Sequence, residues 1–447
     1  MNENFVNIFK VQKYNENEIL SALPPDLFNI LPGETVVLKP NWVCESHLDK
    51  PGEWEQIITH PYIIKAVLQR VIEKLQGMGK IIITDGPQTD SSFRNILALN
   101  DVNAWYKMAR DNGIDLEIID LRDEEWISKK GVIIKRRKIK GDPRGKTEVN
   151  LRGEESEFFQ HVKSQRGYYG ADINIKQTND AHDGLNNLYS VSRSVLEADV
   201  FINLPKLKTH KKAGITCSLK NLVGINTNKN YLPHHSEGSP AERGDQYPQR
   251  NFNAKIEGPI AFFIKGHVLK NTLLARLFAV VRPPIDWIFG KTDDTIRSGN
   301  WYGNDTLWRM VLDLNKVLFY GKPDGTLRYG RYDDRKKYIS IVDGIVAGEG
   351  NGPLKAERIE AGMIIVGYNP VSVDYVSALL MGFDPDKIPT IWNSFLIRRY
   401  KIADFQSNEI MVKYNGRLIA TDQLSDELIH SFKPHFGWKG HIEKEVN

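Results

Sequence analysis

A run of five residues directly after a predicted strand carries the densest set of reactive side chains, Lys206-Leu207-Lys208-Thr209-His210. Because side chains alternate in an extended segment, Lys206, Lys208 and His210 lie on one side of it. Three cationic groups on one side repel each other unless an anion lies among them, and a lysine ammonium is a strong point charge for phosphate or carboxylate. A solvated basic edge is the alternative, but the apolar flanking residues indicate partial burial. The run therefore predicts an anion-binding site, with His210 as a candidate catalytic residue.

Two further lysines and two asparagines extend this prediction. Lys220 and Asn221 lie in a segment of small residues that ends at Gly224, and small residues let the backbone approach a ligand closely. A surface lysine at an ordinary helix end is an equally good interpretation. Lys39 and Asn41 stand at the end of an earlier predicted strand. The predicted substrate-binding residues are Lys39, Asn41, Lys206, Lys208, Lys220 and Asn221.

Carboxylates at other strand ends form the complementary set. Asp85 and Asp343 each end a predicted strand just before a glycine, and Glu349 follows in a glycine-rich segment. Such oxygen-rich positions suit Mg²⁺ or Mn²⁺, or one carboxylate could act as a general base, although Asp-Gly is also a turn signal. His234, in a polar loop near acidic residues, is a further candidate metal ligand. The predicted catalytic residues are Asp343, His210 and Asp85, and the predicted metal ligands are Asp343, Glu349, Asp85 and His234.

Several kinds of site are disfavoured. The glycine-rich segment 348–353 matches neither a Walker A motif nor a dinucleotide fingerprint. The two cysteines, Cys44 and Cys217, cannot supply the four thiolates of a cubane iron–sulfur cluster, and we expect both to be reduced and buried. A formal net charge of only +4 on 447 residues argues against a dedicated nucleic-acid binder.

The elements that position these residues alternate between strands and helices. Short apolar runs at 34–39, 80–84 and 114–120 are separated by helical patterns, which predicts a parallel sheet with covering helices. Ligands of such sheets bind beyond the carboxyl ends of the strands. We expect an α/β fold, with a mainly parallel sheet, flanking helices and a helical insertion. The predicted division is an α/β core over 1–252, with a basic hairpin near 126–172, a helical insertion over 253–335, and the rest of the core over 336–447.

The insertion contains a basic and apolar tract at 256–289. Its composition fits an amphipathic helix on an anionic membrane surface, and a lid or subdomain helix packed on the core is the favoured alternative. Charged residues interrupt the tract, so it predicts no membrane span. The first ten residues lack the pattern of a signal peptide, and we expect a cytoplasmic location.

Several phrases together resemble one known family. VVLKPNW (36–42), TDGP (84–87), the segment 198–226 and IVDGIVAGEGNGP (341–353) look like the bacterial and archaeal family called domain of unknown function 362. Many members carry a ferredoxin-like cysteine segment, which this chain lacks. Members with a long insertion resemble those found among surface-polysaccharide genes. The early strand–helix–strand layout is also loosely similar to that of nickel-dependent lactate racemases, and fold-level similarity alone does not assign function.

Three functions follow from these patterns. The first is an enzyme acting on an anionic small molecule, in surface-polysaccharide or nucleotide-sugar metabolism, with electrostatic stabilisation by the lysines. The second is a non-catalytic binding or scaffold protein at the cytoplasmic membrane face of a glycan-assembly system. The third, which rests on analogy alone, is a racemase or redox enzyme with an external cofactor.

Overall fold

A computed structural model describes residues 2–129, 132–249, 295–329, 332 and 335–444 of the chain. The first strands are β1 (Phe5–Lys10), β2 (Thr35–Pro40), β3 (Lys80–Asp85), β4 (Asp115–Asp120), β5 (Glu124–Lys129), β6 (Val132–Lys138), β7 (Lys146–Arg152), β8 (Tyr168–Gly170) and β9 (Asn186–Ser192). They are followed by β10 (Val200–Leu204), β11 (Lys206–His210), β12 (Gly214–Thr216), β13 (Pro233–Ser236), β14 (Lys337–Asn351), β15 (Lys355–Gly367), β16 (Met411–Tyr414) and β17 (Arg417–Ala420).

The helices of the described residues lie between these strands. They are α1 (Glu16–Ala22), α2 (Pro61–Leu75), α3 (Phe93–Ala98), α4 (Val102–Asp111), α5 (Ile175–Ala181), α6 (Arg193–Glu197), α7 (Ser218–Asn221), α8 (Leu307–Tyr320), α9 (Pro370–Leu380) and α10 (Pro389–Trp392). Proline opens α2, α9 and α10, where its missing N–H costs no hydrogen bond.

One large sheet organises the described chain, in the order β17-β16-β1-β15-β14-β10-β2-β3-β4, with β11 and β12 attached beside β14. The five strands from β14 to β4 run parallel to one another. Four of them, β14, β10, β2 and β3, are buried along most of their length, as strands covered on both faces must be. The α/β fold with a mainly parallel sheet, predicted from the alternating elements, is confirmed.

Two hydrophobic layers cover the faces of the sheet. Along β2, Val36 and Leu38 pack in one layer with α2, whereas Val37 packs in the other. The second layer contains the apolar side chains of α8 and α9. Alternation along each strand therefore supplies both layers at once, and the carboxyl ends of β2, β3 and β10 emerge together at one edge.

The glycine-rich segment 348–353 is mostly strand. β14 continues to Asn351, antiparallel to β15, and Gly352 and Pro353 lie in the turn that joins the two strands. A Cβ at Gly348 would lie 2.7 Å from that of Ala356, and one at Gly352 would lie 2.0 Å from the carbonyl oxygen of Thr209. The glycines thus allow β11 to lie against the β14–β15 hairpin.

The basic hairpin is shorter than predicted. It consists of β5 and β6 alone, because β7 pairs with β9 and β8 pairs with β13 further along the chain. Most of the predicted insertion, including the tract 256–289, lies outside the described residues. Its later part forms α8, which packs in the core. No helix in the described ranges is long and apolar enough to cross a membrane.

A fully buried ion pair joins β11 to β14. The Lys206 ammonium lies 2.8 Å from an oxygen of Asp343, and both side chains are 0% exposed. The Tyr14 hydroxyl donates to the other oxygen of Asp343 at 2.8 Å, and the backbone N–H of His60 also donates to the carboxylate. Four segments distant in sequence therefore meet at one carboxylate, which makes this pair a structural junction.

Lys206→Met should lower the free energy of unfolding by about 3–5 kcal/mol, because it leaves the buried carboxylate of Asp343 without its cation. Urea unfolding followed by circular dichroism measures the change. Lys107→Met is the matched control, since it removes an exposed ion pair with Asp111 and should leave the midpoint nearly unchanged. Equal effects of the two substitutions would contradict the structural role of Lys206.

Candidate anion-binding site

A cavity of about 490 Å³ lies beyond the carboxyl ends of β2 and β3 and beside β11. Its volume falls in the range typical of small-molecule sites. Cationic side chains dominate the lining, with six lysines against three aspartates. The lysines are Lys39, Lys208, Lys211, Lys212, Lys220 and Lys229, and the aspartates are Asp85, Asp90 and Asp172.

Lys39 and Asp85 form the buried floor of this cavity. Their charged atoms lie 2.8 Å apart, with side chains 0% and 4% exposed. The backbone N–H groups of Trp42 and Gly86 also donate to the Asp85 carboxylate, at 2.7 and 2.8 Å. A Cβ at Gly224 would lie 1.9 Å from an oxygen of Asp85. Only glycine fits there, and the close approach is to the Asp85 side chain, so the predicted approach of this segment to a ligand stays a prediction.

Lys208 is held by neutral groups. Its ammonium donates to the side-chain oxygen of Asn41 at 3.0 Å and to the carbonyl oxygen of Ile57. Asn41 in turn donates to Asn221, and Asn221 donates to Asn203, at 2.7 and 2.8 Å. No carboxylate pairs with Lys208 in this network, and burial lowers the pKa of its ammonium to about 7.

Lys220 is placed in the cavity by the short helix α7. Asp374 accepts hydrogen bonds from the backbone N–H groups of Ser218 and Leu219, at 2.6 and 3.1 Å, and so anchors the start of this helix. Within the described residues, the Lys220 ammonium has no hydrogen-bond or ion-pair partner. Burial, together with the charges of Lys229 and Lys39, lowers its pKa to about 7.

Several cavity residues were not predicted from the sequence, among them Lys229 and Asp172. The Lys229 ammonium donates to the carbonyl oxygens of Gly86 and Asn226, at 2.8 and 3.1 Å, and burial lowers its pKa to about 8. Asp172 accepts from the Thr89 hydroxyl, and burial raises the pKa of its carboxyl to about 6. Neither residue stands at the end of a strand of the main sheet, so the strand-end criterion missed them.

His210 and His234 face the cavity in opposite tautomers. The Nδ1 atom of His210 accepts from the backbone N–H groups of Lys212 and Ala213, at 3.0 and 3.1 Å. The Nδ1 atom of His234 lies 2.9 Å from the carbonyl oxygen of Leu232, which can only accept. Burial and the neighbouring lysines lower both pKa values well below the usual range, so both rings are neutral. His210 therefore carries its proton on Nε2, and His234 keeps a lone pair there.

The cavity brings together most of the predicted binding residues. Lys39, Asn41, Lys208, Lys220 and Asn221 all line it, as do Asp85, His210 and His234. Lys206 and Asp343 do not line it, because they pair with each other in the core. The structure thus separates Lys206 from Lys208, although alternation puts them on the same side of β11.

The four predicted metal ligands lie apart. Asp85 is paired with Lys39 and Asp343 with Lys206, while Glu349 accepts from the backbone N–H of Lys433 and lies 3.1 Å from its ammonium. Of these four residues, His234 keeps one ring nitrogen, Nε2, for which the described ranges contain no partner. Within the part of the chain that the structure describes, no group of three or more His, Cys, Asp or Glu side chains is arranged to hold a metal ion. The two cysteines are buried and unbridged, as predicted.

Comparison with known proteins identifies relatives of this chain. The model of the family described as "Domain of unknown function (DUF362)" matches residues 36–142 and 161–378. A thylakoid-associated protein of Synechocystis is 21% identical over 393 residues, which cover 86% of this chain and 77% of that protein.

Two solved structures are similar in part. A crystal structure of a Thermotoga maritima protein superposes with a TM-score of 0.34 and 10% identity, over 83% of this chain. The lactate racemase apoprotein of Thermoanaerobacterium thermosaccharolyticum gives 0.33 and 9%, over 86% of this chain. The matches span only 60% and 58% of those two chains.

At pH 7, we expect His210 to carry its proton on Nε2 and His234 on Nδ1. Long-range ¹H–¹⁵N correlation spectra of the imidazole rings measure this, with each signal assigned by its loss in His210→Gln or His234→Gln. Opposite tautomers should give opposite orders of the two nitrogen shifts. A shared tautomer, or a protonated ring at pH 7, would refute the assignment.

Proposed function

The chain belongs to the DUF362 family, and we propose that it is an enzyme that binds a phosphate- or carboxylate-bearing small molecule in this cavity and acts on it by proton transfer. The observation that carries the proposal is the uncompensated positive charge. Of the lining lysines, Lys39 is paired with a carboxylate, whereas Lys208 and Lys229 are held by neutral oxygens and Lys220 has no partner in the described residues.

Burying cations without counter-ions is costly, and proteins accept that cost chiefly at functional sites. A dianion in the cavity would supply the missing charge and would restore the normal protonation of the lysines. The same cations would stabilise negative charge that develops during a reaction, in a site already shaped to hold it. Sugar phosphates and nucleotide sugars carry such an anion, which agrees with the expected link to surface-polysaccharide metabolism.

The histidine pair supports catalysis over simple binding. A neutral His234 with an open Nε2 atom can accept a proton, and the Nε2–H group of His210 can donate a hydrogen bond or a proton. Buried Asp85 is committed to Lys39, so its proposed role is to hold that lysine in place. The described residues contain no group of three or more His, Cys, Asp or Glu side chains that could hold a metal ion, so assistance by Mg²⁺ or Mn²⁺ stays a prediction.

The scaffold hypothesis depends on the tract 256–289, which lies outside the described residues, so peripheral membrane contact stays a prediction. A racemase or redox enzyme with an external cofactor likewise stays a prediction. A cytoplasmic location also stays an expectation. One relative of the chain is named for its association with thylakoids.

Sulfate should bind and stabilise the protein far more at pH 6.5 than at pH 9. It remains a dianion over this range, whereas Lys208 and Lys220, with pKa values near 7, lose their protons. The apparent affinity should fall at least about tenfold, since each binding lysine must regain a proton at the higher pH. Thermal unfolding against millimolar sulfate measures this, and equal stabilisation at both pH values would contradict the proposal.

Without a ligand, the free energy of unfolding should instead rise with pH. The folded-state pKa values of Lys208, Lys220 and Lys229 lie below the unfolded value near 10.5. The unfolded chain therefore binds more protons between pH 7 and about 10, and these three groups make stability rise with pH in that window.

Lys220→Met should weaken sulfate binding about 10- to 100-fold, the loss of one charge-assisted hydrogen bond, and should leave the free protein at least as stable as the wild type. The physical reason is that the substitution removes a partly buried charge that has no partner among the described residues. Calorimetric titration and thermal unfolding at pH 6.5 measure the two effects. Lys433→Met is the control, since this lysine is 82% exposed and lies outside the cavity. A substitution at Lys220 that lowers stability without affecting sulfate binding would contradict its assignment to the site.

A further inference from the structure

We propose that Lys220 is a nucleophile that forms an imine with the carbonyl carbon of a substrate whose phosphate or carboxylate group is bound by the other cavity lysines. This inference rests on the proposed function, because the anion must bring the carbonyl group into the cavity. It names the substrate class as anionic aldehydes, ketones or oxo acids.

The first support is the isolation of Lys220. Lys39, Lys208 and Lys229 all donate to protein oxygens, so their ammonium groups are fixed in position. Lys220 lines the same cavity, and no such partner for it is found in the part of the chain that the structure describes. An amine that must attack carbon needs a free lone pair, and a lysine held by a carboxylate would keep its proton.

The second support is the set of neighbours around Lys220. The ammonium groups of Lys39 and Lys229 act on it electrostatically, and cationic neighbours favour the neutral amine. Lys220 also lowers the pKa values of both His210 and His234, and the three side chains line the same cavity. With its pKa near 7, a large fraction of Lys220 is the free amine at neutral pH.

The only further reactant is a proton from water. The neutral nitrogen of Lys220 attacks the carbonyl carbon, the C–N bond forms and the carbonyl π bond breaks, while the Nε2–H group of His210 donates a hydrogen bond to the oxygen. His234 accepts one proton from the nitrogen at Nε2 and passes it to the oxygen, which gives the carbinolamine. The hydroxyl group then takes a proton from solvent and leaves as water, and the nitrogen lone pair forms the C=N bond. The nitrogen keeps its second hydrogen, and the resulting protonated imine withdraws electrons from the adjacent carbon, as enzymes that use lysine in this way require.

Reductive trapping tests the inference. Pyridoxal 5′-phosphate carries a phosphate and an aldehyde, and cyanoborohydride at pH 7 reduces its imines to stable adducts. Brief treatment of the full-length protein followed by peptide mass spectrometry should place one dominant adduct on Lys220. The adduct at this position should be absent in Lys220→Arg, which keeps the positive charge, and unchanged in Lys433→Arg, which alters an exposed lysine outside the cavity. Excess sulfate should reduce the labelling of Lys220 at least about tenfold.

The outcomes separate this inference from the proposed function. If sulfate stabilises the protein at pH 6.5 but adducts spread over exposed lysines and spare Lys220, the nucleophile is overturned and the anion site stands. If sulfate gives no stabilisation and Lys220 is unlabelled, both proposals fall. Sulfate-sensitive labelling of Lys220, absent from Lys220→Arg, supports both.

Discussion

The constraint on which this structure depends is the cost of burying a lysine ammonium. An isolated buried cation is strongly disfavoured, so each one needs a carboxylate, several neutral acceptors or a lowered pKa. Asp343 neutralises Lys206, and Asp85 neutralises Lys39. Lys208 has neutral acceptors and a lowered pKa, whereas the partly buried Lys220 has, among the described residues, only a lowered pKa. The positions of these four residues largely define which parts of the molecule are scaffold and which are site.

The same edge of the sheet therefore holds a lysine that is paired in the core and lysines that line the cavity. The Lys206–Asp343 pair joins β11 and β14 and is satisfied internally by Tyr14 and by the backbone of His60. A few residues further along, Lys208 and His210 turn toward the cavity. The ion pair stabilises the fold, and the cavity beside it holds lysines that carboxylates do not fully neutralise. This arrangement is expected of a site for an anion, which would offset the cost of the unpaired charges when it binds.

Much of the site was predictable because parallel sheets place strand ends together. Lys39 and Asp85 each stand at a strand end, and the alternation of apolar residues identified those strands correctly. Lys229 and Asp172 escaped prediction because they come from irregular segments that no local period describes. Glycine marks both turns and close backbone packing, and the sequence does not distinguish them. In the structure Gly348 packs against Ala356, whereas Gly352 lies in a turn and also packs against Thr209.

The sequence by itself determined the α/β class, the strands and helices of the core and the chemical character of the site, since these follow from local periodicity and from residue types at strand ends. The tertiary structure decided which carboxylate neutralises which lysine. Lys206 and Asp343 are 137 positions apart, and nothing in the local pattern distinguishes Lys206 from Lys208. The histidine tautomers were likewise decided by single backbone contacts, such as that between His234 and Leu232. Pairing of this kind depends on distances across the fold, which the order of residues along the chain does not contain.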